Sequence, residues 1–334
     1  MLNKTFRELL KEATEKLDSA HVPDPRFDAR ALIMSAFGLD TAHFLLYEDK
    51  TPMDLCPGVM PERARVEAAV DTFIANVSRR EKREPLQQIL GTAGFYGLDF
   101  KVTSDVLCPR ADTETLIDAV LGNLMPDNVS RVFPNTSSID LDTNDASASI
   151  VDRLTSGAGI VDKDDATLLD VCTGSGCIAI TLAKFGHFRD VSAVDISDAA
   201  LKIATYNKDN LLTKEERAHF KLYKSDMFSE VDGRFDVIVS NPPYIPSNVV
   251  DTLEPEVRDY EPRMALDGTE DGLKFYRILA EESPQHLKDG GFVLFEIGYD
   301  QGESVAELLR QADFRDVTII RDFADNDRVV MGHL

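Results

Sequence analysis

Leu168-Leu169-Asp170-Val171-Cys172-Thr173-Gly174-Ser175-Gly176-Cys177-Ile178-Ala179-Ile180 reads as a buried strand, a turn of small residues and the start of a helix. With no side-chain bulk at Gly174 and Gly176, a ligand can approach the backbone closely. Dinucleotide and nucleotide folds share such turns. Here the spacing is not GxGxxG and no Gly-Lys-Ser/Thr follows, which favours a nucleoside without phosphate over a phosphate cradle. From Thr167 onward strands and helices alternate. Leu168–Cys172, Val191–Asp195, Phe220–Tyr223, Phe235–Ser240, Phe292–Ile297, Val317–Arg321 and Arg328–Gly332 read as strands, with helices in most of the gaps. The pattern predicts an α/β fold with a mostly parallel seven-stranded sheet covered on both faces. Ligands in such sheets bind beyond the carboxyl ends of the central strands.

Two further strand ends carry chemistry. Val191-Ser192-Ala193-Val194-Asp195 closes on a carboxylate about 20 residues beyond the glycine turn, a position suited to both hydroxyls of a ribose. Capping of the next helix is the competing role for Asp195, and Ser197 can fill it instead. After the third strand, Asp226 or the backbone beside it is placed to reach an adenine amino group and Met227 to pack on its ring; Asp there is also a common turn residue. Phe235-Asp236-Val237-Ile238-Val239-Ser240 runs into Asn241-Pro242-Pro243-Tyr244. The bland reading of that corner is a Pro-Pro strand terminator. Its chemical reading is methylation of a planar nitrogen, in an amide or a nucleobase, whose lone pair is delocalised. The Asn241 side chain and the Pro242 carbonyl each accept one N–H and turn the lone pair toward a methyl group, while Tyr244 packs on the flat group. The two prolines fix φ and keep the corner rigid.

Residues 1–84 read as a helical domain: Phe6, Leu9, Leu10, Ala13 and Leu17 form one face, and Phe27, Ala31, Leu32 and Ala36 a second. Pro61 opens a third helix carrying Val66, Val70, Phe73 and Ile74. Residues 85–110 alternate apolar residues around Gly91, Gly94 and Gly97, which predicts a β-hairpin linking this domain to residues 111–334. A helix starting near Asp112 and running through Leu116, Ile117, Val120 and Leu121 follows. The segment 126–166 is rich in Asp, Ser and Thr without a sustained period, the composition of a solvated insertion.

The formal net charge of −23 disfavours nucleic acid as a partner, since no Lys/Arg-rich run offers a phosphate-binding surface. The four cysteines form no CxxC pair and the histidines lack ligand spacing, so neither a disulfide framework nor a metal site is indicated. The charged, amphipathic N-terminus is unlike a signal sequence, and no apolar run is long enough for a membrane helix. A cytoplasmic location is expected.

The glycine turn, the strand-end acid and the Asn-Pro-Pro-Tyr corner together resemble S-adenosylmethionine-dependent methyltransferases that act on amino groups. The resemblance extends to the HemK/PrmC family through Glu84-Pro85-Leu86-Gln87-Gln88-Ile89-Leu90-Gly91, Gly94-Phe95-Tyr96-Gly97-Leu98-Asp99-Phe100, Pro109-Arg110-Ala111-Asp112-Thr113-Glu114, Asn241 to Pro246, Asp271-Gly272-Leu273 and Glu296-Ile297-Gly298. That family methylates the N5 side-chain nitrogen of the glutamine in the Gly-Gly-Gln loop of peptide chain release factors. The resemblance implies a Rossmann-like class I methyltransferase fold, release factors as partners, and substrate recognition by the N-terminal helical domain. It further implies S-adenosylmethionine bound by Cys172, Thr173, Gly174, Ser175, Gly176, Asp195, Met227 and Asn241. Asn241, Pro242 and Tyr244 would then act in catalysis, and Asn241, Pro242, Pro243 and Tyr244 in substrate binding. Phe95, Arg110 and Glu114 are candidates for the mouth of the site, or else for hairpin packing and a surface ion pair. Two positions depart from the family pattern: Cys172 stands where it has Gly, and Met227 where an aromatic residue is common. A ribosomal-protein glutamine, a nucleobase amino group and a fold that only binds are the rival readings.

Overall fold

Side chains that satisfy free backbone amides set where the first helices begin in the computed structural model, which describes residues 1–55, 63–124 and 165–334. Thr5 opens α1 (Phe6–Ser19) through a capping box, its Oγ1 accepting from Glu8 N at 3.2 Å while Glu8 Oε2 accepts from Thr5 N at 2.7 Å. Asp24 caps α2 (Pro25–Phe37), with Pro25 at the first helical position, and Asp40 caps α3 (Thr41–Tyr47). The next helix, α4, spans Arg63–Glu81. The expected start at Pro61, Cys56 and all of the 126–166 insertion but its last two residues lie outside the described residues. Phe6, Leu9, Leu17, Leu32, Ile33, Phe37, Val70, Phe73 and Val77 share one core. Phe27 and Ile74, both expected on buried faces, are instead 61% and 41% exposed. The buried stripe of α2 runs through Ala29, Leu32, Ile33 and Phe37, a helical spacing that turns Phe27 outward.

The chain divides into two compact units, Met1–Thr92 with Glu254–Tyr260, and Ala93–Leu253 with Glu261–Leu334. Charge explains why the distant segment belongs to the first. Arg80, with 5% of its side chain exposed, bonds Asp28 at 2.7 Å and Glu256 at 2.9 Å, and Arg83 reaches Glu256 at 2.6 Å. Gln88 Nε2 donates to the Tyr260 carbonyl at 3.1 Å, and Tyr260 Oη donates to the Lys82 carbonyl at 2.8 Å.

The second unit starts at the second residue of a hairpin, β1 (Thr92–Phe95) and β2 (Leu98–Lys101). Tyr96 and Gly97 both hold positive φ, 49° and 74°, as the two-residue turn that matches strand twist requires. The predicted helix near Asp112 is a 3-10 turn, Ala111–Thr113, then a helix, Glu114–Ala119, then a π turn, Val120–Leu124.

A seven-stranded sheet follows: β3 (Thr167–Val171), β4 (Asp190–Asp195), β5 (Phe220–Lys224), β6 (Phe235–Ser240), β7 (Leu287–Glu296), β8 (Arg315–Arg321) and β9 (Asp327–His333). Their order is β5-β4-β3-β6-β7-β9-β8, and β9 pairs antiparallel with both neighbours. All five residues of β3 are buried, because its faces meet different cores. Leu168 packs with Ile178, Val191 and Val237 on one side; Leu169 and Val171 pack with Ile238, Phe295 and Tyr276 on the other. Burial of each such side chain contributes about 1.5–3 kcal/mol. With β4 on one side of β3 and β6 on the other, both parallel, the connections diverge there and open a crevice at the carboxyl ends.

Candidate active site

That crevice is a cavity of about 400 Å³ within the second unit. Cys172, Thr173, Gly174, Ser175, Asp195, Met227, Asn241 and Pro243 line it; Gly176, Pro242 and Tyr244 are not among its lining residues. Below the glycine turn, Asp170 is fully buried and accepts from Thr173 Oγ1 at 2.6 Å. Burial pushes its carboxyl up to about 7, against the Thr173 hydroxyl and the Ala179 amide that favour the charged form. Gly176 holds φ 82° at the start of the helix Cys177–Phe185, and a Cβ there would sit 2.8 Å from Ile180 Cδ1 and 3.3 Å from Ala204 Cβ. Its lack of a side chain seats the turn against its helix and the helix Asp198–Leu211.

Asp195 Oδ2 accepts from Gly174 N at 2.9 Å and Oδ1 from Ser197 N at 2.8 Å. Burial raises its pKa while these amides oppose the rise. Ser197 caps the helix Asp198–Leu211, accepting from Ala200 N at 3.2 Å, so capping does not fall to Asp195. Cys172 and Met227, the two departures from the family pattern, touch: Sγ lies 3.8 Å from Sδ. Both hold left-handed backbone, φ 64° and 49°. Burial raises the Cys172 thiol far above the ordinary range, so the sulfur stays protonated.

The corner after β6 is held from behind. Gln301 Nε2 donates to the Tyr244 carbonyl at 3.0 Å, and Gly268 N donates to the Ile245 carbonyl at 2.8 Å. A Cβ on Gly272, whose φ is 74°, would overlap the Tyr244 carbonyl oxygen, which accounts for glycine there. Pro242 and Pro243 are buried, and Asn241 and Tyr244 are half-buried. Asn241 lines the cavity, and its Nδ2 donates to Thr113 Oγ1 at 3.4 Å while nothing among the described residues donates to its Oδ1. Among the described residues nothing donates to the Pro242 carbonyl.

Of the mouth candidates, only Arg110 lines the cavity, its guanidinium 2.7 Å from the buried carboxylate of Glu261. Phe95 is 2% exposed and packs edge-on against Phe100, and Glu114 accepts from Tyr96 N at 2.7 Å. Sequence reasoning passed over Asp170, Glu261 and Glu296 as site supports. Each is an acid that the fold buries; Asp170 and Glu296 sit in stretches that carried a motif signal, whereas Glu261 does not. Among the described residues no helix is long and apolar enough to cross a membrane, and no group of three or more His, Cys, Asp or Glu is placed to hold a metal.

Comparisons with known proteins bear on both units. Residues 142–253 match the family model of the Methyltransferase small domain, and residues 8–91 that of the PrmC N-terminal domain. The chain is 35% identical over 335 residues to a release factor glutamine methyltransferase of Geobacter sulfurreducens, covering 99% of this chain and 97% of the relative. It is 33% identical over 323 residues to a second such enzyme, from Agrobacterium fabrum, covering 95% and 93%. A solved protein-(glutamine-N5) methyltransferase, described as release factor-specific, from Alicyclobacillus acidocaldarius aligns at 27% identity with a TM-score of 0.36, over 70% of this chain and 98% of that one.

Proposed function

The chain belongs to the release factor glutamine methyltransferase family, and from that premise we propose that it methylates N5 of the glutamine in the Gly-Gly-Gln loop of a peptide chain release factor, with Asn241 at the point of transfer. The observation that carries the assignment is the bond from the Asn241 nitrogen to Thr113, which leaves the Asn241 oxygen and the Pro242 carbonyl both without a donor among the described residues.

The methyl donor is S-adenosylmethionine, which supplies a sulfonium methyl group when bound. The residues present fit it. The cavity is about 400 Å³, its floor is the backbone of a glycine turn, and a carboxylate stands at the ribose position. Asp195 takes backbone N–H donors on both oxygens, and its remaining acceptor capacity serves the two hydroxyls. Met227, 6% exposed, supplies an apolar wall for the base.

At the corner, Asn241 Oδ1 and the Pro242 carbonyl each take one N–H of the glutamine amide, and Tyr244 is assigned its flat face. The nitrogen lone pair then points into the cavity, where it would form the new N–C bond as the bond from the methyl group to the donor's sulfur breaks and leaves a neutral thioether. The amide proton becomes acidic only once that bond forms, so it passes to solvent without a strong base. Alignment of this kind can supply roughly 7–11 kcal/mol. Carbonyl dipoles aimed at the nitrogen stabilise its developing positive charge. Recognition of the release factor is assigned to the helical unit, and nucleic acid is not assigned as a partner, in keeping with the net charge of −23.

The test is mass spectrometry of a purified release factor after incubation with the protein and S-adenosylmethionine. The expected result is one added methyl on the loop glutamine. Label on a ribosomal protein or on nucleic acid, with the release factor unmodified, overturns the assignment.

A further inference from the structure

Glu296, the last residue of β7, is a buried group that the chemistry above leaves unused. It is 2% exposed, and its Oε2 has no hydrogen-bond partner among the described residues. Burying a carboxylate in that state is costly, so the site needs a reason to keep it. Register supplies one: Ser240 of β6 pairs with Phe295 of β7, which puts Asn241 and Glu296 side by side at the carboxyl ends of neighbouring strands.

Thr113, whose hydroxyl accepts from Asn241 Nδ2, and the Asn241 amide itself both favour the charged form of Glu296. From β9, Arg328 also favours it, although its guanidinium is shared with Asp322 at 3.0 Å, Asp112 at 3.5 Å and the Ile297 carbonyl at 3.2 Å. Asp112 opposes it, and Tyr244, Tyr276 and Cys177 face it with their own ionisation suppressed.

We propose that Glu296 is the positioning residue of the corner: with the Thr113 hydroxyl it selects the donor end of the Asn241 amide, and so presents Oδ1 to the incoming glutamine. This rests on the role assigned to Asn241 above. A carboxylate only accepts, so it rejects the oxygen end of an asparagine. With the amide reversed, Asn241 Nδ2 would meet the N–H groups of the substrate, donor against donor. A protonated Glu296 offers an O–H and loses the selection. Burial pushes its carboxyl up to about 7, so both forms exist near neutral pH.

The experiment measures kcat against pH, and cofactor affinity by calorimetry, for the wild type, Glu296→Gln, Thr113→Val, Asn241→Ala and the double variant Glu296→Gln/Asn241→Ala. In the wild type kcat falls on the acid side of about 7. Glu296→Gln lowers kcat by about tenfold to hundredfold, removes that acid limb and leaves cofactor affinity unchanged. Thr113→Val keeps the limb but moves it to higher pH, because a group favouring the charged carboxylate is gone. In the Asn241→Ala background Glu296→Gln has no further effect. A Glu296→Gln variant with wild-type kcat and an intact limb overturns the proposal, as does a loss that adds to that of Asn241→Ala. If Glu296→Gln fails to fold, the limb in Thr113→Val decides: an unshifted limb overturns the proposal. Normal turnover in Asn241→Ala defeats the functional reading itself, whereas a dead Asn241→Ala beside a normal Glu296→Gln defeats only this one.

Discussion

Cys172 and Met227 show how much of a site hangs on single backbone angles. A non-glycine residue in the left-handed region costs roughly 1–2 kcal/mol, and Cys172 occupies it at the end of β3 with its sulfur against Met227. Glycine would remove that strain, offset by about 0.5–1 kcal/mol of extra chain entropy in the unfolded state and by the lost sulfur contact. Cys172→Gly is therefore expected to raise the thermal midpoint slightly, by no more than about 1 kcal/mol of stability; a clear drop would mean that the sulfur contact outweighs the backbone. Function separates along different residues. Asn241→Ala should lower turnover by about 10²–10³ with cofactor binding largely intact. Asp195→Ala should weaken cofactor binding by roughly 1.5–3 kcal/mol, read by calorimetry. Asn241, Asp195 and the glycine turn were legible as residue types at strand ends. The φ of Cys172 and the burial of Glu296 were not, because both are set by packing from strands distant in sequence.

At the scale of elements, apolar runs located all seven strands of the large sheet, most clearly β3, β4 and β6, whose burial on both faces leaves an almost unbroken apolar signature. Ends were harder to place. β7 begins at Leu287, five residues before the apolar run at Phe292, because Asp289, Gly290 and Gly291 interrupt the pattern while Phe235 still pairs with Leu287 across an irregularity. The antiparallel placement of β9 between β7 and β8 also leaves no trace in local periodicity. The turn after β3 is the element most exposed to change. Gly176→Ala must accept φ 82° and a Cβ contact of 2.8 Å to Ile180 Cδ1, and should destabilise the protein by about 1–3 kcal/mol. Ile180 can yield at its tip but the backbone cannot, so pairing the change with Ile180→Val should recover only part of the loss in a denaturation curve.

Across the whole molecule, the least legible feature was the return of Glu254–Tyr260 to the helical unit, since nothing in its composition separates it from its neighbours. Its anchor is Arg80, which serves Asp28 and Glu256 together at 5% side-chain exposure. Arg80→Met would leave two partly buried carboxylates without their shared cation and should destabilise the helical unit by about 3–5 kcal/mol. Arg310→Ala, at an exposed pair with Glu303, should leave the same urea curve in place. The discontinuity also orders events in time. A nascent chain emerges from its N-terminus, and domains generally fold as they emerge. Here the first unit lacks Glu256 and the Tyr260 carbonyl until most of the second has been synthesised, so a unit whose helices are made ahead of the large sheet is completed only after most of that sheet's unit.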